Sequence, residues 1–367
     1  MTTTYLNRIA TAVPEHDVHD AFAIFAEKML ADPRLRTVFR RMVSRADIAH
    51  RYSFLDPQKG AGQVSSHDAN EFYRLGNFPT TSRRMELFEQ SAPVLMRRAV
   101  DRLALSEEEH AGITHVLVTC CTGLYAPGLD FEIVEHLGLS AGVERTMVGF
   151  MGCYAAINAL KLARHIVRSD PKAGVLMLNL ELCTLHFQET QELEQVLSFL
   201  VFADGAAASL ITAREQGFAL DSFKAVIVPE TRGLITWKIR GLGFDMLLSG
   251  QVPSELGRAL GFDVVIHGAC QVSGLTVSSS KIRELLSGGE LRTARALLGH
   301  GFFIDSTPAR GRGVGTKLTV PTINLAPYQE LLPPNGVYVT QMRIDGDRKS
   351  TRLNSSHCVT SRMPSSA

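Results

Sequence analysis

Residues 146–168, TMVGFMGCYAAINALKLARHIVR, pass from strand spacing to helical spacing across one glycine turn, and that switch commits the chain to layers of sheet and helix. Met147, Val148 and Phe150 read as a short buried strand, Gly149 and Gly152 permit a tight turn, and from Tyr154 the period is helical. Ala156, Leu160, Ala163 and Val167 predict an apolar face that packs on a core, with Asn158, Lys161, Arg164 and Arg168 lying elsewhere. Arg164, His165 and Arg168 suit the C-terminal end of a helix, and Asp170-Pro171 stops it. Cys153 falls at the switch. A thiol at a helix N-terminus meets the positive end of the dipole, which favours the nucleophilic thiolate. The competing reading is an unpaired cysteine that simply fills buried space.

The flanking sequence repeats the alternation. Residues 113–120 and 174–180 are apolar runs of strand length, while 83–105, 131–137 and 190–200 carry helical spacing. In 83–105 the side chains of Met85, Phe88, Ala92, Leu95 and Ala99 share one side, and Ser106 is placed to cap a further turn. Residues 20–30 and 35–42 read as helices parted by Asp32-Pro33, with Ala23, Ile24, Met29, Leu35, Val38 and Phe39 as candidate buried positions. Residues 200–211 read as a hairpin turning at Asp204-Gly205. The basic cluster Arg40, Arg41, Arg45 and Arg51 reads as a solvated helix face, with a phosphate-facing patch as the alternative.

Charge and cysteine usage exclude several classes. A formal net charge of +1 recommends neither nucleic acid nor an anionic membrane as partner. No basic region followed by an apolar run opens the chain and no stretch is long and apolar enough to span a bilayer, so a cytoplasmic location is expected. The six cysteines, at 120, 121, 153, 183, 270 and 358, show no CxxC pair, which argues against a zinc site and a disulfide framework and for free thiols. Cys120 and Cys121 read as strand-end core.

Five stretches in order carry a resemblance: FRRMVSRADIAHRY (39–52), ITHVLVTCCTGLYAPGLDFEIVEHLGL (113–139), GFMGCYAAINALKLA (149–163), FLVFADGAAASLI (199–211) and TRGLITWKIRGLGFDMLLSGQVP (231–253). Over residues 1–258 the chain resembles a bacterial type III polyketide synthase, of the chalcone and stilbene synthase-like branch of thiolase-fold condensing enzymes. The resemblance implies a thiolase-like layered α/β/α domain, here incomplete, with Cys153 as the acyl-accepting nucleophile. It also implies that Phe202 and Phe244 are gatekeepers between a CoA tunnel and the reaction cavity, although packing aromatics are the plainer reading of both. Ala203 stands where the family more often has glycine. Acyl-CoA and malonyl-CoA would be the substrates, this part would need no cofactor, and a homodimer is expected. In the family a histidine and an asparagine from the final third of the fold hold the enolate oxyanion; residues 1–258 do not include that third.

From Gly261 the character changes. Residues 261–304 and 310–339 are similar to the middle of the bacterial bifunctional riboflavin kinase and FAD synthetase: a fragment of nucleotidyltransferase α/β (261–300), then the start of a riboflavin kinase β-barrel (301–346). The segment VSSSKIRELL (277–286) matches the part of the adenylyltransferase half that holds ATP phosphates, which points to Ser279, Lys281 and Arg283. On the residues alone these make an anion site at a helix start, and a plain helix cap is the alternative. Gly311, Gly313 and Gly315 with PTIN (321–324) match the barrel opening, where Thr322 and Asn324 would stand around Mg and phosphate. ATP and Mg are therefore the cofactors, and riboflavin the substrate, of a second reading.

The resemblance implies that neither riboflavin activity is complete: the upstream HxGH-type motif and the downstream activating acid of that family are not matched in this sequence. Residues 347–367, DRKSTRLNSSHCVTSRMPSSA, lack apolar periodicity, read as a disordered tail, and resemble translated adaptor or vector sequence. The whole is expected to be a chimera or mis-assembled frame, which supplies a third reading, an inactive fusion. His267 reads as a strand-end histidine rather than a substitute for the family's histidine.

Overall fold

The apolar runs become strands of one sheet, and the amphipathic segments cover its two faces. The structure, a computed structural model, describes residues 2–57, 68–261, 270–304, 308–309, 324–325, 331–334, 336–342 and 353–359. It divides into two units, Met1–Val265 and Ile266–Ala367. In chain order the first holds β1 (Tyr5–Ala12), β2 (His16–Asp17), α1 (His19–Met29), α2 (Pro33–Arg45), β3 (Tyr52–Ser53), α3 (Thr81–Asp101), α4 (Glu107–Ala111) and β4 (Ile113–Cys120). There follow α5 (Leu129–Leu137), β5 (Glu144–Gly149), α6 (Tyr154–Ser169), β6 (Gly174–Leu182), α7 (Leu193–Val201), β7 (Asp204–Thr212), β8 (Phe218–Ala219), β9 (Ile235–Arg240), β10 (Gly243–Leu248) and α8 (Val252–Leu260).

The main sheet runs β5-β4-β6-β7-β1-β8. Strand β4 is parallel to β5 and β6, and the rest of the sheet is antiparallel. Parallel neighbours need crossovers, which α5 and α6 supply. Alternation along β4 sorts the layers: Val116 and Val118 pack with Phe88, Ala92 and Leu95 of α3, while Leu117 packs with Ala159, Ala163 and Val167 of α6. A third cluster joins Phe22, Phe25, Phe39, Tyr73, Phe187 and Phe199. Local signals place the ends: Asp32 accepts from the Arg34 N–H at 2.7 Å at the start of α2, and Ser106 and Glu109 form a reciprocal capping box.

Four expectations are corrected. The strand expected to be buried at Met147, Val148 and Phe150 is the exposed edge strand β5, with Met147 and Phe150 exposed and Phe150 beyond its end. The buried stripe of α6 is Ala155, Ala159, Ala163 and Val167, so Ala156 and Leu160 lie at its margin. In α1 and α2 the aromatic side chains take the core, leaving Ile24 and Val38 exposed. The expected hairpin at Asp204-Gly205 is one continuous strand, β7, paired with β6 and β1. Asp204 starts it because its carboxylate accepts the Thr184 N–H and Oγ1–H at 2.9 and 2.8 Å, an anchor rather than a turn.

The second unit contains a two-residue-strand hairpin, β11 (Gln271–Val272) and β12 (Leu275–Thr276), then α9 (Ser279–Ser287) and α10 (Leu291–Leu298). Two further antiparallel pairs follow, β13 (Pro308–Ala309) with β14 (Asn324–Leu325) and β15 (Gly336–Met342) with β16 (Leu353–Val359). Of the tail 347–367, residues 353–359 form β16, and backbone pairing along a neighbouring strand needs no apolar periodicity; the rest of the tail lies outside the described residues. Among the described residues no helix is long and apolar enough to cross a membrane.

Candidate active site

Strand β5 delivers the chain to a turn in which Phe150 and Gly152 take φ of 53° and 60°, and Cys153 then caps α6. A bulky residue at positive φ is strained, and such strain gathers where a side chain has to be held in place. Cys153 is exposed, whereas Cys120 and Cys121 are buried. Burial pushes the Cys120, Cys121 and Cys183 thiols up, and the Glu181 charge adds to this in each case. Thiols held in that state are inert, so accessibility separates Cys153 from its neighbours.

Glu181 was not legible as a site residue, although a polar Asn179-Leu180-Glu181 step inside an apolar strand is a signal. Its carboxylate accepts the Cys121 N–H at 2.9 Å and the Thr122 hydroxyl at 2.7 Å, and burial raises its pKa despite those bonds. It ties the end of β4 to β6, and Cys121 in turn reaches the Gly152 carbonyl before Cys153, Sγ to O 4.0 Å.

Phe244 is nearly fully buried and linked to that turn through Phe150, with ring centroids 5.7 Å apart. It stacks on His186 at 4.1 Å and 13°, and Trp237 meets both rings edge-on. The His186 tautomer follows from its bonds: Nδ1 accepts the Phe244 N–H at 3.1 Å, so Nε2–H donates to the Thr122 carbonyl at 2.6 Å. His186 gave no signal in the sequence.

Burial pushes His186 down to about 3. An unfolded chain takes up that proton near pH 6.5, so stability falls as pH drops between 6.5 and 3, by at most about 1.4 kcal/mol per pH unit. Asp204 opposes it: burial pushes its carboxyl up to about 6, so the fold gains stability as pH falls from 6 toward the unfolded value near 3.9. His186→Gln, which keeps a donor and an acceptor, is expected to remove the first slope and leave the second. Urea midpoints at pH 7 and pH 4 should therefore move apart between variant and parent; parallel profiles would show that His186 carries no linkage.

Phe202 lies at the end of α7 and is half-buried. Its carbonyl accepts from Arg51 Nε at 2.8 Å. Arg40, Arg41 and Arg45 are exposed as expected of a solvated face, but Arg51 is buried, because it lies beyond α2 where the chain turns into the aromatic cluster.

In the second unit Ser279, Lys281 and Arg283 lie on α9, and Ser278 is the N-cap, accepting the Lys281 N–H at 3.2 Å. Lys281 Nζ bonds Glu284 at 2.8 Å, an engagement that draws its charge along the helix rather than toward the cap. Thr322 and His267 lie outside the described residues, and Asn324 opens β14. Among the described residues no group of three or more His, Cys, Asp or Glu could hold a metal.

The family model for chalcone and stilbene synthases, N-terminal domain, matches residues 3–215. The chain belongs to that family. A riboflavin kinase family model matches residues 298–362. The mycobacterial alpha-pyrone synthesis polyketide synthase-like Pks18 (Mycobacterium tuberculosis) is 32% identical over 230 residues, covering 62% of this chain and 56% of the relative. Bisdemethoxycurcumin synthase of Oryza sativa subsp. japonica is 31% identical over 232 residues, 61% and 56% of the two chains. The chain thus spans about half the length of these relatives. Germicidin synthase from Streptomyces coelicolor, a type III polyketide synthase, superposes with TM-score 0.60 at 20% identity, over 71% of this chain and 73% of that one. The mixed α/β fold of the synthase family is thereby shown.

Proposed function

We propose that residues 1–258 form an acyl-accepting unit of the type III polyketide synthase class. The observation that carries this is the exposed Cys153 at the start of α6, behind a positive-φ turn, while Cys120 and Cys121 are buried. The Cys153 sulfur attacks the thioester carbonyl of an acyl-CoA starter and CoA leaves as its thiol. Extension has malonyl-CoA lose carbon dioxide and the resulting enolate attack the acyl-cysteine carbonyl, the acyl C–S bond breaking and the Cys153 thiolate leaving, so that the lengthened chain is carried on CoA. The name of the mycobacterial relative supports a pyrone as product class, and CoA substrates suit a cytoplasmic location. Extension is impaired, because the family's histidine and asparagine have no counterpart in 1–258. Phe202 and Phe244 act as gates, Phe244 held by His186.

The test is intact mass after incubation with an acyl-CoA, followed by peptide mapping. One acyl adduct on Cys153 is expected; an adduct on another cysteine removes the assignment. A homodimer follows from the same reading, supported by the exposed edge strand β5 and by exposed Met147, Phe150, Met151, Tyr154 and Ile157 beside it. Sedimentation at micromolar concentration should give twice the chain mass; a monomer would refute it.

The match at 298–362 favours a second reading, a riboflavin kinase or FMN adenylyltransferase fragment, with 261–300 and 301–346 as its two parts. ATP would supply the phosphoryl group to riboflavin in the kinase part, leaving as ADP, with Mg neutralising phosphate charge and Thr322 and Asn324 as candidate contacts; in the adenylyltransferase part ATP would supply AMP to FMN, pyrophosphate leaving, with Ser279, Lys281 and Arg283 as candidate contacts. FMN formed from riboflavin and ATP above a heat-killed control would decide for it. Absence of both FMN and the Cys153 adduct would leave an inactive chimera.

A further inference from the structure

Arg51 is 4% exposed, and its guanidinium is only partly satisfied. Nε donates to the Phe202 carbonyl at 2.8 Å, and the guanidinium carbon lies 4.4 Å from the Phe22 ring centroid. Nη1 is buried with no hydrogen-bond partner among the described residues. The same side chain lines a small cavity with Val18, Phe22, Cys183, Phe199 and Phe202, with room for about one water-sized body.

Among the described residues no carboxylate hydrogen-bonds this Nη1. Asp17 spends Oδ1 on the backbone N–H groups of Arg51 and His19, at 3.1 and 3.2 Å, and Oδ2 on His50 at 2.6 Å. Asp204 is held by Thr184 through two bonds. Burial lowers the guanidinium only to about 10, so it stays charged at neutral pH. A buried cation with an open N–H is costly unless an acceptor meets it, and an aromatic wall strengthens whatever acceptor does.

We propose that this cavity binds one small monovalent anion of halide size, held by Arg51 Nη1. Sulfate or phosphate is excluded by size. An occupied site would fix Arg51 and, through Nε, the Phe202 carbonyl at the end of α7. The proposal is independent of acyl transfer by Cys153, so either can fail alone.

The experiment is thermal unfolding of the full chain in chloride, bromide and gluconate at constant ionic strength. Tm should rise hyperbolically with chloride and bromide, by about 3 °C or more at ten times the half-saturating concentration, and stay unmoved by gluconate, which is too large to enter. Arg51→Gln should lose the halide response, and crystals grown in bromide should show an anomalous peak beside Nη1. A wild-type Tm that does not distinguish halide from gluconate would overturn the proposal and leave water as the occupant, as would an equal response in Arg51→Gln. Should that variant fail to fold, the wild-type series and the bromide peak still decide.

Discussion

Cys153→Ala is expected to abolish acyl transfer from a CoA thioester, while carbon dioxide release from malonyl-CoA should already be at background in the parent chain. The two halves separate because they ask different things of the site. Loading needs an accessible sulfur at a helix start, which the exposed Cys153 supplies. Deleting a covalent nucleophile typically costs about 10⁴- to 10⁶-fold, so the adduct should vanish in intact-mass spectra. Decarboxylation needs donors aimed at an enolate oxyanion, and loss of one such donor costs about 10²- to 10³-fold. His186 cannot stand in, since both its nitrogens are committed to Phe244 and Thr122 and burial keeps it neutral. Brisk release that disappears in His267→Ala would make His267 the substitute donor and refute the impairment. Acylation persisting in Cys153→Ala would remove the nucleophile.

The strand-to-helix switch before Cys153 was legible because spacing and glycine placement are local. The same holds for α2, announced by Asp32-Pro33, and for the Ser106 capping box. Asp204-Gly205 misled because the dipeptide is a turn signal only when its carboxylate is not claimed from a distance, and Thr184 claims it. Arg51 clusters with Arg40, Arg41 and Arg45 in sequence, yet its burial depends on Phe22 and Phe202, remote along the chain. His186 and Glu181 escaped for a like reason: their partners Thr122, Cys121 and Phe244 meet them only when β4, β6 and β10 are assembled. Ser279, Lys281 and Arg283 are legible as residues of one helix start, while the Lys281–Glu284 pair forms only across the folded turn.

Arg84→Ala should be the most damaging substitution to the fold, because Arg84 is fully buried and its fork gathers four acceptors. Nε donates to the Pro79 carbonyl at 2.9 Å, and Nη1 to the Tyr73 hydroxyl and the Leu185 and Phe187 carbonyls at 2.9, 2.6 and 2.9 Å. Leu185 and Phe187 flank His186, so the clamp also sets the ring on which Phe244 stacks. Truncation strips a charged donor from buried carbonyls and opens a cavity, a loss of about 4 kcal/mol or more. Lysine, a point charge without the fork, should recover only part of it. Gly243 supplies the cross-check: it sits at φ 107°, and a Cβ there would come within 2.7 Å of Arg84 Nε. Gly243→Ala therefore carries a backbone strain and a clash with the guanidinium, and only the clash depends on Arg84. In urea denaturation Gly243→Ala should cost clearly less in the Arg84→Ala background than in the parent, a coupling that contacting residues show and distant ones do not. Strict additivity would mean that the guanidinium does not press on Gly243, and that His186 and Phe244 are held by something other than this clamp.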